Sequence, residues 1–187
     1  MSRRIPLLVA SFMAFCGCDR TDSASDAGLG PCAVGQAFID QELPSGAKFV
    51  LSGGPVHGNF APHALEAIHR TMRRSPPPMQ LLHDFADTRA ENVIARCPGL
   101  AERMRKAGIQ MGSAAVDAVV SSVDASGEYS AEIVTLSLPA VSRDGQSAVM
   151  AADRVTAGEA GGGVIYHLRR RDDGGWRVVD WAGTWIS

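Results

Sequence analysis

The chain has 187 residues, 45% of them hydrophobic, and a formal net charge of −2. This length suits one domain with its own hydrophobic core. The small negative charge argues against a nucleic-acid partner, which would need a basic face.

The first eighteen residues have the order of an export signal. Arg3 and Arg4 precede an apolar run from Ile5 to Phe15, and a small residue and a cysteine follow. These are the three parts of such a signal. The run has about half of the roughly 20 apolar residues that a membrane-spanning helix needs. We therefore predict a signal peptide over residues 1–17.

The segment Phe15-Cys16-Gly17-Cys18 resembles the lipobox of bacterial lipoproteins. In that family a small residue precedes a cysteine that receives diacylglycerol and becomes the new N-terminus. Gly17 and Cys18 match this pattern, whereas Phe15 departs from it because leucine is usual there. The resemblance implies lipidation of Cys18 and a protein held at a membrane of the bacterial cell envelope, facing the periplasm.

An ordinary secretory signal, cut near Ala24 or Ala27, is the alternative, and it would give a soluble periplasmic or secreted protein.

Removing residues 1–17 takes away two of the 18 basic residues and leaves 16 against 20 acidic ones, a charge of −4. This charge argues against electrostatic membrane binding, so any membrane contact should come from the lipid.

Residues 18–31 are predicted to form a lipidated flexible tether, and residues 32–187 a single domain. Cys32 and Cys97 are the two cysteines of that domain, and an oxidising compartment favours a disulfide between them. Two separate buried thiols are the alternative. A metal site is disfavoured because no second Cys or His lies near either cysteine in the sequence.

The first half of the chain is predicted to be mainly helical and the second half to be sheet. Apolar spacing and turn residues predict helices over residues 32–43, 62–73, a segment after Thr88 and Glu91, and 100–107, with a short strand over 48–51. Predicted strands cover residues 115–123, 129–138, 147–152, 164–170 and 176–186. Helices before strands indicate an α+β fold, with N-terminal helices on one face of a C-terminal antiparallel sheet of about four to five strands.

Two features of the second half carry no predicted chemistry. The glycines from Gly158 to Gly163 are predicted to form a flexible turn, because a phosphate loop needs a strand before it and a helix after it. Trp176, Trp181 and Trp185 are predicted to belong to the sheet core rather than to a ligand platform.

The last hairpin carries a second resemblance. Gly162 to Asp180 and the closing Thr184-Trp-Ile-Ser187 resemble a group of small uncharacterised bacterial proteins with a tyrosine strand, an Asp-Gly turn and a Trp-x-Val-Val strand. Members often have cysteines in the loop before this hairpin. This chain has the glycines of that loop but not the cysteines, so a metal site or disulfide there is not implied. A weaker similarity links the hairpin to cone-shaped NTF2-like domains. The resemblance implies a fold and leaves the activity open.

The sequence predicts no catalytic residue, no metal ligand and no cofactor. We expect a non-catalytic binding or interaction module with an envelope protein as its possible partner, and the small-molecule ligand stays open. The alternative is a small periplasmic hydrolase with a site assembled in three dimensions from residues such as His63, His83, Asp84 and His167. An inhibitor or immunity-type protein is a third possibility.

Overall fold

The computed structural model describes residues 30–43, 48–123, 125, 127–158 and 160–187. Within this part, helices occupy most of the first half and strands most of the second. In chain order the elements are α1 (Pro31–Glu42), β1 (Phe49–Ser52), α2 (Pro62–Thr71), α3 (Met79–Thr88), α4 (Val93–Arg96), α5 (Pro98–Lys106), α6 (Ser113–Val120), β2 (Glu128–Leu136), β3 (Ala140–Val141), β4 (Ser147–Ala157), β5 (Ala160–Arg170) and β6 (Trp176–Ile186).

The strands form one six-stranded sheet in the order β1-β2-β4-β5-β6, with β3 also paired to β4. The α+β class is confirmed. The sheet is mixed rather than antiparallel, because β1 pairs parallel to β2. A parallel pair needs a long crossover, which here contains helices α2 to α6.

Helices cover both faces of the sheet, whereas the sequence predicted one covered face. Side chains alternate along β4: Ala148 and Met150 pack in the core with α1, while Val149 and Ala151 pack in the core with α2 and α3. We call these two surfaces the α1 face and the α2 face. The reason is visible in β4, which is apolar at consecutive positions, as in strands that are buried on both sides.

Aromatic pairs mark the centre of each layer. On the α1 face Phe38 contacts Tyr166 edge to face, with ring centroids 4.8 Å apart. On the α2 face Phe60 and Phe85 make the same kind of contact at 5.4 Å. Such pairs stabilise by about 0.5–1.5 kcal/mol beyond the area they bury.

Residues 115–123 were predicted to be a strand, and this prediction is wrong, because α6 occupies Ser113–Val120. Ala115 and Val119 are both buried, four residues apart, against Val50 and Ile133 of the sheet. Packing of one helical face therefore outweighs the β propensity of the valines.

The start of α4 also differs from its prediction. Thr88 is the last residue of α3, and Asn92 caps α4, because its side-chain oxygen accepts a hydrogen bond from Ile94 N at 2.8 Å. The amide of Asn92 donates to the carbonyl oxygens of Ser52 and Gly54 at 2.9 Å each. One buried side chain therefore ties the helix start to the end of β1.

Candidate functional site

A disulfide joins Cys32 on α1 to Cys97 between α4 and α5, with the two Cα atoms 5.6 Å apart. This is the pairing that the sequence predicts. It connects the first helix of the described part to the helices that share its core. Cys18, the predicted lipidation site, lies outside the described residues.

The four residues named for a hydrolase site are spread over three elements. His63 is exposed on α2, His83 is half-buried on α3, and His167 is buried on β5. Asp84 accepts a hydrogen bond from Gln80 one turn earlier on the same helix. No hydrogen bond or ion pair within the described part of the chain joins any two of the four.

His167 is a core residue on the α2 face. Its Nδ1 donates to the carbonyl oxygen of Ser75 at 2.5 Å, and its Nε2 is buried with no partner among the described residues. Burial lowers the pKa of His167 and outweighs the hydrogen bond to Ser75, which acts to raise it. The neutral imidazole therefore serves as a donor that holds the chain after α2.

Asp180 lies opposite His167 on β6 and holds the same segment. Its Oδ2 accepts from Arg74 N at 2.8 Å and Ser75 N at 2.7 Å, and its Oδ1 accepts from Trp181 N at 2.9 Å. Burial acts to raise the pKa of Asp180, but the backbone donors of Ser75, Trp181 and Arg74 together lower it. The side chain is thus an ionised acceptor for three backbone donors.

Asp153 holds the chain before α2 in a similar way. It is 2% exposed, and its Oδ2 accepts from His57 N at 2.5 Å and lies 3.0 Å from His57 Nδ1. Its Oδ1 accepts from Trp185 Nε1 at 2.8 Å. The His57 side chain is 75% exposed. A buried carboxylate that orients an imidazole is an arrangement found in general bases.

Sequence reasoning missed this cluster. Its one signal is an aspartate in the middle of an apolar strand, since Asp153 follows Ala151 and Ala152. A charged side chain in such a position is rarely buried unless it is paired, which is the case here.

The glycines that precede the hairpin make room for Trp185. Gly158 lies in a turn after β4, but the predicted turn is wrong for Gly161–Gly163, because these residues belong to β5. Gly163 lies between Asp153 on β4 and Trp185 on β6 in one row across the sheet. A Cβ atom at position 163 would lie 2.2 Å from Trp185 Nε1, so only glycine lets the indole cross the row.

The three tryptophans have different environments. Trp176 is buried in the core of the α1 face, and the indole of Trp185 binds Asp153 on the α2 face. Trp181 is 60% exposed. It pairs across strands with Tyr166, so it projects from the α1 face beyond the area that α1 covers. The prediction that all three belong to the sheet core is wrong for Trp181.

A cleft of about 440 Å³ lies beside Trp181, lined also by Tyr166, Glu42 and Arg74. We call it the Trp181 cleft. The side chains of Glu42 and Arg74 form no ion pair or hydrogen bond within the described residues, and neither does the hydroxyl of Tyr166. Burial raises the pKa of Tyr166, which keeps its hydroxyl protonated as a donor.

A larger cleft of about 760 Å³ lies between α1, α5, α6 and β1. An ion pair between Arg103 and Asp40, with Nη2 and Oδ1 2.9 Å apart, lies on its rim. The rest of its wall combines buried apolar side chains such as Ile39 with the polar side chains of Lys48 and Gln110. The side chains of Lys48 and Gln110 form no ion pair or hydrogen bond within the described residues, so this cleft also has polar groups without partners.

Within the described part of the chain, no three His, Cys, Asp or Glu side chains are grouped to hold a metal ion. None of the helices described is both long and apolar enough to cross a membrane. No family model, curated protein or solved structure matches the chain. The resemblances to lipoproteins and to the small bacterial group therefore stay predictions.

Proposed function

We propose that this protein is an exported, lipid-anchored component of the bacterial envelope that faces the periplasm and acts as a non-catalytic binding module. The signal-like N-terminus and the lipobox resemblance at Cys18 motivate the anchor. The disulfide between Cys32 and Cys97 supports a location outside the cytoplasm, since such bonds persist in oxidising compartments.

The exposed indole of Trp181 carries the binding part of the proposal. A large aromatic side chain that is 60% exposed beside a cleft with three unpaired polar groups has no role in the core. Concave sites with aromatic walls and a few convergent polar groups are the usual form of ligand sites. The charged groups that the fold buries, by contrast, are already bonded to backbone donors.

The anchor is tested by intact mass spectrometry of the full chain from a membrane fraction. We expect a mature chain that begins at Cys18 and carries a diacylglyceryl group, with the mass of two added hydrogen atoms after reduction. Cys18→Ala should release the protein from the membrane, whereas the matched Cys16→Ala variant should stay lipidated. A lipid-free chain that begins near Ala24 or Ala27 would overturn the anchor.

Binding is tested by amide hydrogen exchange of the lipidated protein with and without envelope extract. An envelope ligand should slow exchange in β5 and β6, and Trp181→Ala should abolish this protection. Val120→Ala is the control, because Val120 is an exposed apolar residue on α6, away from the cleft. Protection that is absent, or equal in the Trp181→Ala variant, would contradict a binding role for this surface.

A small periplasmic hydrolase is the second candidate, and the contact between Asp153 and His57 is the observation that favours it. The carboxylate can orient the imidazole so that Nε2 is free to accept a proton from water. Hydrolysis of activated ester probes by the full chain should then be lost in His57→Gln. Rates equal to buffer for the unmodified protein would exclude esterase activity at this residue.

A further inference from the structure

Trp181 projects from a part of the sheet surface where the space beside Gly183 is open. Its neighbour Gly183 on β6 has no atom within 4 Å of the position that a Cβ would occupy. Val164 lies opposite Gly183 and forms part of the floor of the Trp181 cleft. The indole therefore stands beside a shallow, flat depression rather than in a deep pocket.

The polar groups of the cleft can both donate and accept hydrogen bonds. Glu42 supplies a carboxylate, Arg74 a guanidinium, and Tyr166 a hydroxyl that burial keeps protonated. Asp180 also lines the cleft, but its carboxylate is already bonded to three backbone donors. The lining therefore carries charges of both signs, and a ligand with a full charge of either sign would meet a like charge. The polar ends of Glu42, Arg74 and Tyr166 make no hydrogen bond or ion pair within the described residues, so each has free hydrogen-bonding capacity.

We propose that the Trp181 cleft binds a neutral carbohydrate, with one pyranose ring stacked on the indole of Trp181. The apolar C–H face of the sugar covers the aromatic face, and its hydroxyl groups bond to Glu42, Arg74 and Tyr166. The cleft volume of about 440 Å³ falls in the range of roughly 300–1,000 Å³ that small-molecule sites have. This inference rests on the proposed binding function and names its ligand class.

Other ligand classes fit the same residues less well. An acyl chain would leave the charges of Glu42 and Arg74 without partners, which is costly for groups that lose water. A phosphate or an acidic peptide would be repelled by Glu42, and a basic peptide by Arg74. A sugar offers both hydroxyl donors and acceptors together with an apolar face, which matches the lining group by group.

The test is isothermal titration of the full-length protein in a detergent without a sugar headgroup. The probes are neutral tetrasaccharides of glucose in β-1,4 and α-1,4 linkage and the tetrasaccharide of N-acetylglucosamine. We expect at least one to bind. Trp181→Ala should weaken that binding about tenfold or more, while Trp181→Phe, which keeps an aromatic face, should retain most of it. Val120→Ala should bind as the unmodified protein does.

The outcomes separate this inference from the proposed function. Binding of none of the sugars, or binding that Trp181→Ala leaves unchanged, overturns the carbohydrate assignment. If envelope extract still protects β6 in a Trp181-dependent manner, the binding module stands with a different ligand. Because Trp181 is mostly exposed, the Trp181→Ala variant should have nearly the same urea midpoint as the unmodified protein. An unchanged midpoint shows that any loss of binding arises in a folded protein.

Discussion

Replacement of Gly163 by alanine would place a methyl group against the side chains of Trp185 and Thr184 on β6. The new methyl group would lie 2.2 Å from Trp185 Nε1 and 2.4 Å from Thr184 Oγ1, both far inside van der Waals contact. Trp185 must then leave its position over Gly163. As it moves, Asp153 loses the indole donor that now lies 2.8 Å from its Oδ1.

Two effects contribute to the expected loss. Overpacking of a well-packed site costs about 1–3 kcal/mol. Loss of a hydrogen bond to a buried carboxylate costs about 1.5–3 kcal/mol, because Asp153 cannot replace the donor with water. We therefore expect Gly163→Ala to reduce the free energy of unfolding by about 2.5–6 kcal/mol. Trp185→Phe keeps an aromatic ring but removes the hydrogen-bond donor, so it should reduce the free energy of unfolding only by the cost of that hydrogen bond, about 1.5–3 kcal/mol.

The assay is urea unfolding of the full chain, followed by far-ultraviolet circular dichroism. Gly183→Ala is the matched control, since it adds the same methyl group to the neighbouring strand in open space. Its free energy of unfolding should stay within about 0.5 kcal/mol of the unmodified value.

A double-mutant cycle decides whether the indole is the cause. In a Trp185→Ala background the methyl group at position 163 no longer meets the indole, so the cost of Gly163→Ala should fall by about 1 kcal/mol or more. The reasoning is refuted if Gly163→Ala is as mild as Gly183→Ala. It is also refuted if the costs of the two changes simply add.

Three further predictions concern stability. Replacing Cys32 and Cys97 together by alanine should lower the free energy of unfolding by about 4 kcal/mol, because their sequence separation of 65 closes a long loop in the unfolded chain; denaturant titration with and without reductant checks this. His167 and Asp180 both have a lowered pKa in the folded protein, so the unfolded chain binds more protons than the folded chain as the pH falls. The free energy of unfolding should therefore decrease on acidification, first below about pH 6.5 because of His167 and then below about pH 4 because of Asp180. A His167→Gln variant should show a flatter dependence of the urea midpoint between about pH 7 and 5. Asp153→Asn should cost about 2–4 kcal/mol, since three donors lose an ionised acceptor, and an unchanged urea midpoint would show that the cluster is not structural.

The strand and turn pattern of the last hairpins could be predicted because its signals are local. Gly145 and Gly174 each follow an aspartate, a pair typical of hairpin turns, and their φ values of 67° and 83° lie in the left-handed region that favours glycine. The bounds of β6 were predicted as the structure has them, from the turn before the strand and the strand-forming pattern within it. Tight turns and period-two patterns are properties of a few neighbouring residues, so a sequence reveals them.

Features that depend on distant contacts could not be predicted. The sequence of α6 is rich in valine and indicates a strand, and only its packing on Val50 and Ile133 selects the helix. The glycines near Gly163 look like a loop until Trp185, more than twenty residues later, is placed across them. Asp153 finds its partner His57 at a sequence separation of 96, which no local pattern reports.

The exposure of Trp181 was unpredictable for a different reason. Two bulges shift the pairing of β5 with β6, so the side of the sheet on which each β6 residue lies cannot be read by counting from Trp176. The sequence also does not show where the cover of α1 ends. A tryptophan in a strand therefore predicts a core position unless the register and the covering helix are both known.

Side chains on the two faces of β6 have different roles, one in stability and the other in the proposed binding. Asp180, Ala182 and Trp185 lie on the α2 face, where they hold the chain on either side of α2 or pack in its core. Trp181 lies between them on the opposite face and contributes exposed surface. Substitutions at Asp180 or Trp185 should therefore change the unfolding midpoint, and substitutions at Trp181 should change ligand affinity. If Trp181→Ala instead destabilised the protein as strongly as Trp185→Ala, its indole would be part of the core, and the argument for a ligand at this surface would fail.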